Sequence, residues 1–187
     1  MPWRKWRRGR DMSVYSKEEI SRLIDIGKDK SLATKVRGNA LEDLVCYLLE
    51  KIPGVLTRAN GIDPFRGSEI DVSVANAQTA IWMKVLPPLF LIECKNWDAP
   101  VDAKAVGAFI VKLREKAVDL GVIVAANGVT GNPSDLTAAY MKINMAQQAG
   151  QRVIVVTLED ISVLENAEQF SKLLCERILE CVAAGRF

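Results

Sequence analysis

The order of the apolar patterns along the chain restricts its fold more than any single motif does. Amphipathic helical pattern comes first, a group of short strand-like runs follows, and the second half alternates helix and strand. Neighbouring early strands can pair antiparallel through hairpins. Later strands, separated by helices, need right-handed crossovers and therefore run parallel. The expectation is an α/β protein with a central mixed β-sheet flanked by helices on both faces, three layers in all. With 187 residues the chain can build one domain with a full core.

Local signals place the elements. Ser16 with Glu19 three residues later predicts a capped helix over 17–26. Leu41, Leu44, Val45, Leu48 and Ile52 form the buried stripe of a helix over 38–51, which Pro53–Gly54 ends. Strands are expected over 55–59 and 69–74, with a turn-rich stretch at 60–67 between them. In the second strand Ile70, Val72 and Val74 share one face; Glu69, Asp71 and Ser73 share the other. The stretch AQTAIWMKVLPP reads as a long hairpin or an extra edge strand, with Trp82 and Met83 serving the core or a dimer contact. The apolar run Leu89–Lys95 is the next strand. Asp102 caps a helix to about residue 119, with Val106, Phe109, Ile110, Leu113 and Ala117 inward. A buried strand over 121–126, a helix over 135–149 and a strand over 152–158 follow. A last helix over 164–184 buries Phe170, Leu173, Leu174, Ile178 and Val182.

Composition removes several function classes. The chain has no histidine, which excludes His-based triads, His–zinc sites and histidine general bases. Any catalysis runs on carboxylates, lysine, hydroxyls or metal-bound water. No segment approaches the roughly 20 apolar residues that span a bilayer. Cys46, Cys94, Cys175 and Cys181 lack CxxC spacing and read as reduced core thiols of a cytoplasmic protein. The net charge of +2 is uneven, because Arg4, Lys5, Arg7, Arg8 and Arg10 crowd the first ten residues with Trp3 and Trp6. Such an arm suits a phosphate backbone, and it also reads as a plain solvated tail. We expect residues 1–30 to form this arm and a short helix, and 31–187 the main domain.

One strand carries the chemistry. Glu93 and Lys95 lie two apart at the end of Leu89–Phe90–Leu91–Ile92, so both project from one face of an otherwise apolar strand. Burying charge costs several kcal/mol unless it is paired, solvated or metal-bound. Asp71 brings a third charge from the neighbouring strand. Glu42 sits one position beyond Leu41, at the edge of its helix's buried stripe, and is expected to approach the same pocket. Three carboxylates and an ammonium suit phosphodiester hydrolysis. Mg²⁺ takes oxygen ligands plus water through one or two protein carboxylates. Asp71 and Glu93 would supply these, the Cys94 carbonyl is a candidate backbone ligand, and Glu42 would hold a second ion or a metal-bound water. Lys95 would orient or deprotonate the attacking water, or stabilise charge in the transition state.

These residues resemble a family. A helix with Gly38-x-x-x-Glu42, a strand with an acid in E-I-D-V, a strand with Glu93-Cys94-Lys95, then helix and buried strand are similar to the PD-(D/E)xK nuclease superfamily. The resemblance extends to the Mrr-type restriction endonuclease catalytic domain through KNWDAPVDAKAVGAF and GVIVAANGVTGNPSD, and covers about residues 36–165. The motif at Asp71 lacks the proline of the superfamily name, and the spacing from Asp71 to Glu93 is long for a simple hairpin. The resemblance implies a restriction-endonuclease-like fold, a DNA substrate, Mg²⁺ or Mn²⁺, no organic cofactor, and Asp71, Glu93, Lys95 and Glu42 as catalytic residues. A duplex cutter of this kind is expected to be a homodimer. The alternatives are a structure-selective repair or junction-resolving nuclease, and a non-catalytic DNA-binding module on the same fold.

Basic residues around the site are the candidate DNA contacts. Lys104, in the first turn of its helix, and Arg58 and Arg66, flanking the site strands, are placed to meet phosphates. Lys112, Arg114 and Lys116 read as a solvated helix face. Asn127–Gly128 and Gly131–Asn132–Pro133 follow a buried strand, where α/β proteins often bind ligands. With no G-K-[ST] they are not a phosphate-binding loop and read as turn chemistry.

Overall fold

The computed structural model describes residues 14–62, 69–132 and 137–184. Five strands form one sheet in the order β1-β2-β3-β4-β5: Val55–Ile62, Glu69–Asn76, Leu89–Lys95, Leu120–Ala125 and Arg152–Thr157. β1, β2 and β3 pair antiparallel; β3, β4 and β5 pair parallel. The mixed α/β sheet expected from the element order is the one present.

Helices cover both faces. Lys17–Lys28 (α1), Thr34–Glu50 (α2), Leu158–Ser162 (α5) and Ala167–Ala184 (α6) pack on one side. Ala103–Glu115 (α3) and Ala139–Gln148 (α4) pack on the other. β4 shows why both layers are needed. Leu120, Val122 and Val124 face the first layer, while Ile123 and Ala125 face the second, so every residue of the strand is buried. Gly121 permits this closeness, since a Cβ there would lie 2.6 Å from Leu113 and Phe109 of α3. α3 and α4 lie over β3–β5, whereas on that side β1 and β2 carry the exposed Leu56 and Arg58 and the half-buried Asp71, Ser73 and Ala75. This leaves an open margin beside the β2–β3 junction.

Several local expectations are corrected. Only half of the capping box at α1 forms: Ser16 accepts the Glu19 N–H, but the Glu19 carboxylate turns to Arg22. α2 begins one turn earlier than Gly38. The long connection after Asn76 is neither hairpin nor edge strand but contains a 3₁₀ helix, Ile81–Val85. The buried Asn76 amide explains it, donating to the carbonyls of Met83, Leu86 and Pro87. That loop folds inward and sets Met83 into the core against α6. α3 stops at Glu115, because Ala117 turns into the left-handed region at φ 52° and the Val118 N–H bonds the Leu113 carbonyl. Ala117 is therefore exposed, not inward. The last strand ends at Thr157, where Thr157 and Asp160 form a reciprocal capping box that starts α5. α6 buries Cys181 and leaves Val182 58% exposed. The basic arm, Arg66 and the expected helix start at Asp135 lie outside the described residues.

Candidate active site

The site lies where β2 and β3 part. Their antiparallel ladder runs through Ser73↔Leu91 to Val72↔Ile92 and stops. The next opposed positions are Asp71 and Glu93. Like charges directly opposite destabilise a strand pair, and here a side chain takes over from the ladder: Asp71 Oδ2 accepts the Cys94 N–H at 2.7 Å. The parallel register of β3 on β4 continues through Glu93↔Ile123 to Lys95↔Ala125, so the E-x-K end stays rigidly attached to the buried part of the sheet.

Four charged side chains meet at this fork. Lys95 Nζ lies 2.7 Å from Glu93 Oε1 and 4.0 Å from Asp71 Oδ2. Lys112, from α3, donates to both Glu93 oxygens at 2.9 and 3.1 Å and to the Glu69 carbonyl at 2.8 Å. Glu93 is 6% exposed and is held between two ammonium groups. Burial, then the Glu93 charge, pushes the Asp71 carboxyl above its ordinary range, against the pull of the Cys94 N–H. Lys95 is raised. Burial alone would lower it, but the hydrogen bond and charge of Glu93, and then Asp71, outweigh that cost. Burial lifts the Cys94 thiol well above its usual value.

Glu42 arrives from the opposite layer. Burial, then the Asp71 charge, raises its carboxyl. A hydrogen bond from the Asn60 side chain opposes this, yet Oε2 is buried with no partner. A buried carboxylate oxygen without a donor is costly, and a cation would satisfy it. Among the described residues no three Asp, Glu or Cys side chains cluster tightly enough for a complete ligand set as they stand. Mg²⁺ needs only one or two carboxylates and completes its shell with water. Two opposed carboxylates and one orphaned oxygen fit such an ion.

The structure therefore brings together Asp71, Glu93 and Lys95, with Glu42 close enough to feel the Asp71 charge. Cys94 joins them through its N–H. Arg58 is exposed on β1, where it pairs with Ser73, two residues from Asp71 along β2. Lys104 is exposed in the first turn of α3. The ion pairs of the cluster run instead to Lys95 and Lys112.

Two site residues escape the sequence reading. Lys112 is not on a solvated face; its side chain is 21% exposed and grips Glu93. The signal was present, since Lys112 flanks the buried Leu113 just as Glu42 flanks Leu41. Asn60 is not in a turn. β1 continues through it, between the Ala59↔Val72 and Gly61↔Ile70 pairs, with Asn60 at φ 54°. Asparagine tolerates that conformation, and it delivers the side chain to Glu42.

The mixed five-stranded sheet flanked by helices is that of the restriction-endonuclease-like fold. Residues 33–149, more than half of the chain, match the Mrr catalytic-domain family, described as restriction endonuclease. The chain belongs to that family. No curated protein matches the chain. Among the described residues, no helix is long and apolar enough to cross a membrane.

Proposed function

We propose that the protein is a metal-dependent DNA endonuclease hydrolysing phosphodiester bonds, with Asp71, Glu93 and Lys95 as its catalytic centre. The observation that carries this reading is the convergence of the three side chains at the end of the β2–β3 ladder, two carboxylates opposed and one ammonium 2.7 Å from Glu93. The Lys95 and Lys112 ammoniums balance these two carboxylates, and the buried, partnerless Glu42 oxygen beside them is the group that a bound cation would satisfy.

Asp71 and Glu93 would hold the ion, with the Cys94 carbonyl as a backbone ligand and Glu42 on a second ion or a bound water. Mg²⁺ or Mn²⁺ supplies Lewis-acid polarisation of the phosphoryl oxygen and a lowered pKa for bound water. Lys95 directs the water and steadies charge on the transition state. Glu93 Oε1, 2.7 Å from the Lys95 ammonium, holds it charged, which suits the second of these roles. Arg58, Arg66 and Lys104 are proposed phosphate contacts. A homodimer would cut both strands, and the reducing interior suggested by four free thiols would be cytoplasmic.

The test is cleavage of plasmid DNA with Mg²⁺, Mn²⁺ or EDTA. Cleavage should require the metal and fall about 10²–10³-fold in Asp71→Ala and Lys95→Ala, the scale for loss of one charge-stabilising group. Either variant cutting at the wild-type rate would sink the assignment.

A further inference from the structure

The chemistry proposed at the fork leaves a neighbouring cleft unused. Lys95 is the last residue of β3, and the chain continues as Asn96–Trp97–Asp98 along a concavity of about 470 Å³. The opposite wall is the α1–α2 corner, with Lys28 at the end of α1, Lys30 in the connection and Arg37 in the first turn of α2. It opens at the C-terminal ends of the parallel strands, the usual ligand position in α/β sheets. Its volume falls within the roughly 300–1,000 Å³ of small-molecule sites.

The cleft is held in shape by specific bonds. Asn96 Nδ2 donates to the carbonyls of Gly27, at 2.7 Å, and Arg37, at 3.0 Å. Arg37 Nε donates to the same Gly27 carbonyl at 3.0 Å. Asn127 Nδ2 donates to the Trp97 carbonyl at 2.7 Å. Only glycine packs easily at 27, since a Cβ there would lie 3.0 Å from Asn96 Nδ2. Trp97 is thus fixed by its backbone while its side chain stays open, with the residue 41% exposed.

The charge balance favours an anion. Three cations line the cleft against Asp98 and Glu159. Asp98 is already engaged by Lys30 at 3.1 Å and Arg37 at 3.5 Å. Lys28 forms no ion pair among the described residues. An indole beside ammonium groups is the pairing that holds a nucleotide, base on ring and phosphate on cation. An acidic peptide would use the lysines and leave the open indole without a role.

We propose that this cleft takes a single nucleotide of the DNA next to the scissile phosphate, its base stacked on Trp97 and its phosphate against Lys28 and Lys30. The identity of the ligand rests on the nuclease reading above. The nucleotide comes either from an unpaired position or from a duplex whose base is drawn out of the stack.

Fluorescence anisotropy in EDTA, with the full chain, tests it without cleavage. The probes are a paired duplex, the same duplex with a one-nucleotide bulge, and that bulge made abasic. Trp97→Ala should bind the bulged DNA about tenfold more weakly than wild type, the size of one lost base stack. Trp97→Phe should stay within about threefold, because a phenyl ring still stacks. The abasic bulge should erase the difference between wild type and Trp97→Ala. A matching loss on the paired duplex supports base extrusion; a loss confined to the bulge supports capture of an unpaired nucleotide. Equal binding of the bulged DNA by wild type and Trp97→Ala overturns the cleft and leaves the nuclease reading intact if wild type cleaves with Mg²⁺. Trp97→Phe falling as far as Trp97→Ala assigns the loss to a disturbed loop and overturns it too. A wild-type chain that neither binds nor cleaves any of these DNAs overturns both readings.

Discussion

Lys112 Nζ lies 2.9 Å from Glu93 Oε2, so the glutamate of the E-x-K strand is shared by two lysines, one from its own strand and one from α3. The second lysine also holds the Glu69 carbonyl, tying α3 to the start of β2. It neutralises the carboxylate proposed to hold a divalent ion, and its charge would repel that ion.

Removing the Lys112 charge should therefore tighten metal binding even as it loosens the fold. We expect Lys112→Met to bind Mn²⁺ about five- to tenfold more tightly, a change near 1 kcal/mol. The same variant should lose about 1–3 kcal/mol of stability without metal, because the buried Glu93 keeps only Lys95. Calorimetric Mn²⁺ titration and thermal unfolding read the two effects separately. Weaker Mn²⁺ binding in the variant would show that Lys112 props the site and does not compete for it.

Glu42 gives a pH signature. Its carboxyl is raised in the folded state by burial and the Asp71 charge. A raised carboxyl means that the folded form binds the proton more tightly than the unfolded one. Stability is then greatest below the ordinary carboxylate range and falls as pH rises through the raised value. Glu42→Gln removes that loss. Its thermal midpoint should exceed the wild type at pH 8, by a stability gain of about 0.5–2 kcal/mol, and the gap should close near pH 4. A gap of constant size across pH would refute the electrostatic origin. Cleavage, measured alongside, should drop.

Asn76 should be among the most sensitive positions far from the chemistry. It is 4% exposed, its amide donates to three carbonyls, and its Oδ1 accepts the Gln78 N–H. Asn76→Ala strands these groups inside the loop that carries Met83 and Leu86 into the core. We expect a loss of about 2–4 kcal/mol in urea unfolding. Asn76→Asp should be no better, since a carboxylate accepts and cannot donate to the carbonyls.

Gly121 tests the packing of the two layers. A Cβ would meet Phe109 and Leu113 at 2.6 Å, and both belong to a tightly filled helix face. Gly121→Ala should cost about 1–3 kcal/mol. Because α3 also carries Lys112, the displaced helix should weaken cleavage more than an equal destabilisation elsewhere. Comparison with Asn76→Ala at matched stability decides this.

Much of the architecture, and the convergence of the candidate site's central residues, was legible along the chain. Periodicity marked the helices and strands, and their order dictated which pairs run antiparallel and which parallel. The i, i+2 relation puts Glu93 and Lys95 on one face of their strand. Glu42 was reachable by the same kind of local rule, one step from a buried stripe. These are short-range properties of helices and strands, and a sequence states them directly.

What the tertiary structure decided were matters of long range. Whether the β2–β3 ladder stops at Val72↔Ile92 depends on a carboxylate 23 residues away capturing the Cys94 N–H. That Lys112 belongs to the site depends on how α3 lies on the sheet, set by Gly121 against Phe109 and Leu113. Asn60 in mid-strand and the inward fold of Met83 depend on partners that no local pattern announces. The sequence by itself determined which residues carry charge and on which face of their own element. The packing of the two helical layers decided which of those charges meet, because side-chain convergence is set by how elements cross and not by the period within any one of them.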